Sequence, residues 1–107
     1  MYSIMVQMAE ERWTMQAMHL ACALARNTGG KVVLLRLIPV RNPGLLGASV
    51  GDLSPTEQEY KRIKEYAATA EDYDVQLILQ PMQYLNLLEA VVDAAEELDT
   101  VVVFAQV

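Results

Sequence analysis

Short apolar runs alternate along this chain with longer stretches in which apolar residues recur at helical spacing. The runs are nearly continuous and contain many β-branched residues, a pattern typical of strands that are covered on both faces. They predict four strands, at Ser3–Met8, Lys31–Ile38, Val75–Leu79 and Thr100–Ala105. We expect Pro39 to end the second strand and a turn at Gln80–Gln83 to end the third.

The stretches between the strands predict three helices. The first spans about Glu10–Asn27, with two glutamates in its first turn, and stops at Gly29. The second begins with Ser54 as its N-cap and Pro55 at its first helical position. The apolar stripes expected to face the core are Trp13, Ala17, Leu20, Ala21 and Leu24, then Tyr60, Ile63, Ala67 and Ala70, then Leu85, Leu88, Val91, Val92, Ala95 and Leu98.

This alternation of strands and helices predicts an α/β fold. We expect one domain, residues 1–107, with a four-stranded parallel sheet, three flanking helices and right-handed crossovers. In such sheets ligands bind beyond the carboxyl ends of the strands. The segments at that edge are Met8–Glu11, Ile38–Leu53, Gln80–Gln83 and Ala105–Val107.

Composition narrows the function classes. A chain of 107 residues with 53% apolar residues can bury a core of its own. The net charge of −6, with scattered basic residues, argues against a nucleic-acid surface. The lone Cys22 excludes an internal disulfide and a multi-cysteine zinc site. The start of the chain is too short for a signal peptide and no apolar run reaches membrane-spanning length, so we expect a cytoplasmic protein without membrane association.

Several candidate sites have a plainer interpretation. His19 and Cys22 could form a metal pair or an activated thiolate, but an ordinary core cysteine beside a half-exposed histidine fits one lone His better. The glycines of residues 39–53 match no phosphate-loop spacing, which leaves either a disordered surface loop or a contact element. In a receiver-type domain, Gln80 would stand where a phosphate-accepting Asp is needed. No nucleophile–base–acid set can be assembled, so we expect no enzyme.

Two stretches resemble the universal stress protein superfamily. Leu24–Pro39 is similar to that family's first helix end, its Thr-Gly turn and its second strand, and Ala90–Phe104 to its third helix running into its fourth strand. The resemblance implies the strand order 3-2-1-4-5, with many members forming homodimers. It also implies that residues 1–107 lack the usual fifth strand and fourth helix.

The nucleotide-binding positions that the resemblance implies are degenerate here. The family's ATP-binding branch keeps an Asp at the end of the first strand, where this chain has Ala9 followed by Glu10. Gln106 stands where the first glycine of a phosphate loop would be, and Leu37 and Pro39 complete the degenerate positions. We therefore expect no cofactor. The alternative is a switch that binds ATP or AMP through a phosphate loop that is missing from this chain or supplied by a partner.

The fourth strand is the expected interface. In the order 3-2-1-4 it is an apolar edge, which invites pairing unless another chain covers it. The predicted interface residues are Val101, Val103, Phe104, Ala105 and Val107. We expect a homodimer or a part of a larger protein, acting as a non-catalytic stress-response domain through association.

Overall fold

The computed structural model describes residues 3–39, 55–84, 86–98 and 100–106. Strands and helices alternate along them: β1 (Ser3–Gln7), α1 (Glu11–Thr28), β2 (Lys31–Pro39), α2 (Glu57–Asp72), β3 (Leu77–Tyr84), α3 (Leu87–Glu97) and β4 (Thr100–Phe104). The predicted N-cap Ser54, the predicted interface residue Val107 and the predicted loop beyond Pro39 lie outside the described residues.

The four strands form one parallel sheet in the order β3-β2-β1-β4. This confirms the expected α/β fold and the strand order that the resemblance implied. β1 pairs with β2 through Ile4 opposite Val32 and Val6 opposite Leu34. Because all strands run the same way, the carboxyl ends of β1 and β4 meet at one edge of the sheet.

Two apolar layers cover the faces of this sheet. On one face, Ile4 and Val6 of β1 pack with buried residues of α1 and α2, among them Met18 and Tyr66. On the other face, Met5 packs with Leu35, Val91 and Ala94, so α3 alone covers that side among the described helices. Successive residues of a strand point to opposite faces, which is why neighbours in β1 enter different layers.

The helix stripes predicted from the sequence are partly wrong. In α1 the buried face consists of Thr14, Ala17, Met18, Ala21, Cys22 and Ala25. Leu20 and Leu24 are exposed, Leu20 by 61%. Both stripes recur at helical spacing, and the helix buries the one that is richer in small side chains. Burial of a small residue such as alanine lets a helix lie close to the sheet.

The predicted stripes of α2 and α3 need the same correction. In α2, Tyr66 and Ala70 are buried while Tyr60 and Ala67 are exposed. In α3 the buried residues are Ala90, Val91 and Ala94, whereas Leu88 and Val92 are exposed. Each helix thus presents some apolar residues to solvent, a common feature of protein surfaces that a periodicity argument does not foresee.

The start of α2 also differs from the prediction. Its N-cap is Thr56, whose hydroxyl accepts a hydrogen bond from the Glu59 backbone N–H at 3.1 Å. The Glu59 carboxylate in turn accepts from the Thr56 backbone N–H at 3.2 Å, which completes a capping box. The Thr56–Glu59 pair satisfies two backbone donors at once.

Strand β3 is longer than predicted and includes the segment expected to be a turn. It runs to Tyr84, which pairs with Pro39 at the end of β2. Pro81 lies within it, opposite Arg36. β3 is at the edge of the sheet, where a proline can turn its missing N–H away from the neighbouring strand. The predicted end of this strand at Leu79, followed by a turn at Gln80–Gln83, is therefore wrong.

Candidate functional site at the strand ends

The backbone just beyond β1 is held on both sides by side chains. The Ala9 N–H donates to the Thr14 hydroxyl at 2.9 Å. The Ala9 carbonyl oxygen accepts from Nη2 of Arg62, on α2, at 2.7 Å. Both backbone polar groups of Ala9 are therefore satisfied within the chain, at the position where ligands of parallel α/β sheets usually bind.

Glu10 occupies the amino-terminal end of α1. It is the N-cap of the helix and not a residue of its first turn, as the sequence had suggested. Its carboxylate accepts hydrogen bonds from the backbone N–H groups of Arg12, at 3.1 Å, and Trp13, at 2.9 Å. These bonds, the one from Trp13 foremost, hold the pKa of the Glu10 carboxyl below its ordinary value of 4.5.

This cap has a direct chemical consequence. The free N–H groups at a helix start are the donors that bind phosphate in many nucleotide sites. Here the Glu10 carboxylate, which is part of the chain beside them, already accepts hydrogen bonds from two of these N–H groups. A phosphate at this helix end would have to displace that carboxylate and then tolerate its negative charge nearby.

Thr14 and Arg62 are site residues that sequence reasoning missed. The Thr14 hydroxyl is buried, donates to the Glu10 carbonyl oxygen at 2.8 Å and accepts from Ala9. Arg62 also donates to the buried Tyr66 hydroxyl, from Nη2 at 3.0 Å and from Nε at 3.2 Å. In the sequence Arg62 is one of several scattered basic residues, and its spacing of four from Tyr66 is the signal that could have indicated this contact.

The end of β4 is tied to β1 by a second internal bond. The backbone N–H of Gln106 donates to the side-chain oxygen of Gln7 at 2.7 Å. Gln7 is buried at the end of β1. The first backbone donor beyond Ala105 is thus used within the chain, at the position that the resemblance would give to a phosphate loop.

The other two predicted nucleotide positions lie along β2. Leu37 packs against the apolar layer beneath α3, together with Met82. Pro39 is exposed at the end of the strand. The structure therefore places Ala9, Glu10 and Gln106 next to the ends of β1 and β4, and Leu37 in the α3 layer.

Two valines of the edge strand β4 are exposed. Val101 is 55% exposed and Val103 is 38% exposed, while Val102 and Phe104 pack against the α1–α2 layer. Ala105 packs against the α3 layer. A groove of about 410 Å³ lies between α3 and β4, and its lining residues are Val91, Val92, Ala95, Glu96, Thr100 and Val103.

The remaining candidates give no reactive centre. Cys22 is buried, and burial raises the pKa of its thiol to about 11, so the thiol stays protonated and is not an activated thiolate. His19 is exposed, and its Nδ1 lies 3.1 Å from the Tyr73 hydroxyl.

Within the described ranges, no group of three or more His, Cys, Asp or Glu side chains could hold a metal ion. Nor is any helix in the described part of the chain both long and apolar enough to cross a membrane.

Comparison with known proteins gives matches only at the level of structure. The chain matches no protein-family model and no curated protein sequence. A universal stress protein in complex with cAMP superposes with a TM-score of 0.73 at 14% identity, covering 95% of this chain and 73% of the other.

Two further structures agree with this likeness. A protein of the universal stress protein family from Burkholderia pseudomallei gives a TM-score of 0.71 at 16% identity, covering 94% of this chain and 77% of that one. The universal stress protein from Archaeoglobus fulgidus in complex with dAMP gives 0.61 at 16% identity, covering 96% and 78%. Together with the strand order β3-β2-β1-β4, these likenesses show that this chain has the fold of the universal stress proteins.

Proposed function

We propose that this chain is a cytoplasmic regulatory domain of the universal stress type, which acts by associating with another polypeptide along β4. In this proposal it is not an enzyme, and the carboxyl ends of its strands do not bind ATP. The observation that carries the proposal is the exposure of Val101 and Val103 on the edge strand of the sheet.

An edge strand with exposed apolar residues favours pairing with another chain. β4 is terminal in the sheet of described residues, so the backbone groups on its outer side have no neighbouring strand there. Natural proteins usually protect such edges with lysine, proline or a bulge in the strand. The five residues of β4 include neither lysine nor proline, and three of them are valine. Its pairing with β1 does shift register between Thr100 and Val102, so Val101 lies at an irregularity of the strand. Association would remove this apolar surface from water.

The absence of ATP binding is supported by the contacts at the strand ends. The Glu10 carboxylate accepts hydrogen bonds from N–H groups at the start of α1, and the Gln7 side chain accepts one from the Gln106 N–H. A polyphosphate needs such donors free, because they replace the water that solvates its charge. Each internal bond that it displaced would subtract from its affinity.

Sedimentation velocity tests the association. The wild-type chain is measured over a range of concentrations at high salt, beside the double variant Val101→Lys, Val103→Lys. We expect the wild type to self-associate and the double variant to stay monomeric, since lysine on an edge strand opposes pairing. Leu20→Lys is the matched control, because Leu20 is an exposed apolar residue on α1. A wild-type chain that stays monomeric at every concentration would contradict self-association along β4, which is the form of the proposal that this measurement tests.

A second candidate function is nucleotide binding as a stress-response switch. It is favoured by two of the structures with this fold, which are complexes with cAMP and dAMP. In this chain it would require a phosphate loop from elsewhere, or displacement of the Glu10 carboxylate. Thermal unfolding with ATP, ADP, AMP and cAMP separates the two candidates, because a ligand that binds the folded state raises the melting temperature. A rise of several degrees with any of them would favour the switch.

A further inference from the structure

The two edges of this sheet differ in how far they are open to another strand. In the sheet of described residues, β3 and β4 are the terminal strands. The five residues of β4 include no proline, whereas β3 carries Pro81 near its middle. A terminal strand presents its outer backbone groups to any extended chain, so this difference decides which edge can pair.

Pro81 and its neighbour remove both backbone partners from the middle of the β3 edge. β3 pairs with β2 in unbroken register along Leu77–Tyr84, with Pro81 opposite Arg36, so the missing N–H of the proline lies on the outer side. The Pro81 carbonyl oxygen accepts a hydrogen bond from Nε2 of Gln80 at 3.1 Å. An incoming strand would find no donor at this residue, and an acceptor that is already used.

The β4 edge has no such block beyond its first residues. The register with β1 shifts between Thr100 and Val102 and then continues evenly through Val103 and Phe104. The irregularity therefore affects only the start of the strand. Residues 102–104 form a regular edge of the described sheet, and Val103 at their centre is 38% exposed.

We propose that Pro81 and Gln80 close the β3 edge, so that association of this chain stops at two copies joined antiparallel along residues 102–104 of β4. Such a pair is two-fold symmetric and leaves only the two β3 edges at its ends. Pairing of β4 with β3 of the next copy would be head to tail and would continue without limit. This inference rests on the proposed association along β4 and names its partner and its stoichiometry.

The distribution of charge permits this pair. Neither β3 nor β4 contains a charged residue, so the net charge of −6 is not carried on the strand edges. Glu96 lines the groove beside Thr100, at the start of β4. In an antiparallel pair centred near Val103, the two Thr100 residues lie at opposite ends, about 20 Å apart. That separation exceeds the Debye length of about 8 Å at physiological ionic strength, so repulsion between the two Glu96 carboxylates is largely screened.

The proline substitution Pro81→Val tests the closure. Sedimentation velocity at rising concentration should show the wild type reaching twice the mass of the chain and no more. Pro81→Val restores a donor to the β3 edge, and we expect assemblies of at least about four copies, because each chain then has two open edges. Pro39→Val is the matched control, since Pro39 ends the interior strand β2, and it should behave as the wild type.

A second substitution separates edge pairing from unspecific aggregation of the Pro81→Val chain. Val103→Lys places a charge at the centre of the β4 edge and should oppose pairing there. Pro81→Val combined with Val103→Lys should return the assembly to at most two copies, because only the β3 edge is then open. Large assemblies in the combined variant would overturn the inference, because their growth would not depend on the β4 edge.

Cross-linking through single cysteines tests the geometry of the pair. Cys22 is buried, and burial raises the pKa of its thiol to about 11, so the wild type serves as the unreactive blank. A short bis-maleimide should join two Val103→Cys chains, because these positions lie close together across an antiparallel pair. It should not join two Leu79→Cys chains, since Leu79 is exposed on β3. A mixture of the two variants should give no link between Val103→Cys and Leu79→Cys.

The outcomes separate this inference from the proposed function. A wild type that grows beyond two copies, a Pro81→Val chain that stops at two, or a link between Val103→Cys and Leu79→Cys would overturn the inference. Association along β4 would still stand in each of these cases. A wild-type chain that is monomeric at every concentration would overturn the inference together with self-association along β4.

Discussion

Arg62 on α2 donates a 2.7 Å hydrogen bond to the backbone carbonyl oxygen of Ala9, just past the end of β1. The same guanidinium donates to the buried hydroxyl of Tyr66 on its own helix. The contact joins residues 53 positions apart in sequence and holds α2 against the edge of the sheet where β1 ends. A residue that looks like surface charge in the sequence thus fixes the backbone just beyond the end of β1.

Arg62→Met should lower the free energy of unfolding by about 2 kcal/mol. The substitution leaves the Ala9 carbonyl and the buried Tyr66 hydroxyl without their donor, while the aliphatic part of the side chain is retained. Chemical denaturation at neutral pH measures the loss. Lys61→Met is the control, since Lys61 is an exposed cation one position away. An equal loss in both variants would show that charge, and not the contact with Ala9, is responsible.

The Glu59 carboxylate should make the free energy of unfolding depend on pH. Its carboxylate accepts from Nε of Arg36 at 3.0 Å and from Nη2 at 3.3 Å, and the Arg36 side chain is only 8% exposed. The hydrogen bond from Arg36, followed by the capping bond from Thr56, lowers the pKa of the Glu59 carboxyl below 4.5. This stabilisation is therefore present above pH 4.5 and is lost as the pH falls through the folded-state pKa.

Glu59→Gln tests this ion pair. We expect a loss of about 1 kcal/mol in the free energy of unfolding at neutral pH, since the amide keeps one acceptor and loses the charge. The difference from wild type should shrink below pH 4.5. Glu57→Gln removes an exposed carboxylate from the same first turn and serves as control. A Glu59→Gln difference that does not change with pH would contradict the assignment.

The Glu10 cap should also weaken in acid. Hydrogen bonds from the Trp13 and Arg12 N–H groups lower the pKa of the Glu10 carboxyl. The stabilisation of the fold by this cap is therefore present above pH 4.5 and disappears as the pH falls through the lowered pKa. Glu10→Gln should reduce the melting temperature by a few degrees at pH 7, and by less in acid. Glu11→Gln is the control variant, because it removes a carboxylate charge one position along the chain. If the two variants melt alike at pH 7, the capping role of Glu10 is wrong.

Two threonines should respond oppositely to the same substitution. The buried Thr14 hydroxyl makes two hydrogen bonds, whereas the buried Thr100 hydroxyl has no partner among the described residues. Thr14→Val should cost about 2 kcal/mol, because the Ala9 N–H loses its acceptor. Thr100→Val should add about 1 kcal/mol by removing an unsatisfied polar group. Urea unfolding of both variants gives the comparison, and a destabilised Thr100→Val would contradict it.

The strands were predictable because their signal is local. Lys31–Pro39 and Thr100–Phe104 are nearly continuous apolar runs, and burial on both faces requires such runs in a parallel sheet. The helix faces were less predictable, since α1 carries two overlapping apolar stripes. The one that is buried depends on how α1 meets the sheet and α2, and single-helix periodicity does not contain that information.

The candidate site was only partly predictable. Ala9, Glu10 and Gln106 were identified by their positions after strands, and they do lie at the ends of β1 and β4. That the Glu10 carboxylate turns back onto its own helix depends on backbone angles at the cap. Arg62 reaches Ala9 only because α2 packs beside α1, a long-range contact that the sequence does not announce. The interface predicted along Val101–Ala105 stays a prediction.

Isothermal titration calorimetry with ATP measures whether the chain's own groups leave the strand ends open to a nucleotide. We predict no measurable heat of binding at protein concentrations that would reveal a dissociation constant below about 1 mM, a free energy of roughly −4 kcal/mol. Saturable binding of one ATP per chain, accompanied by NMR amide shifts at Ala9 and Glu10, would contradict the account.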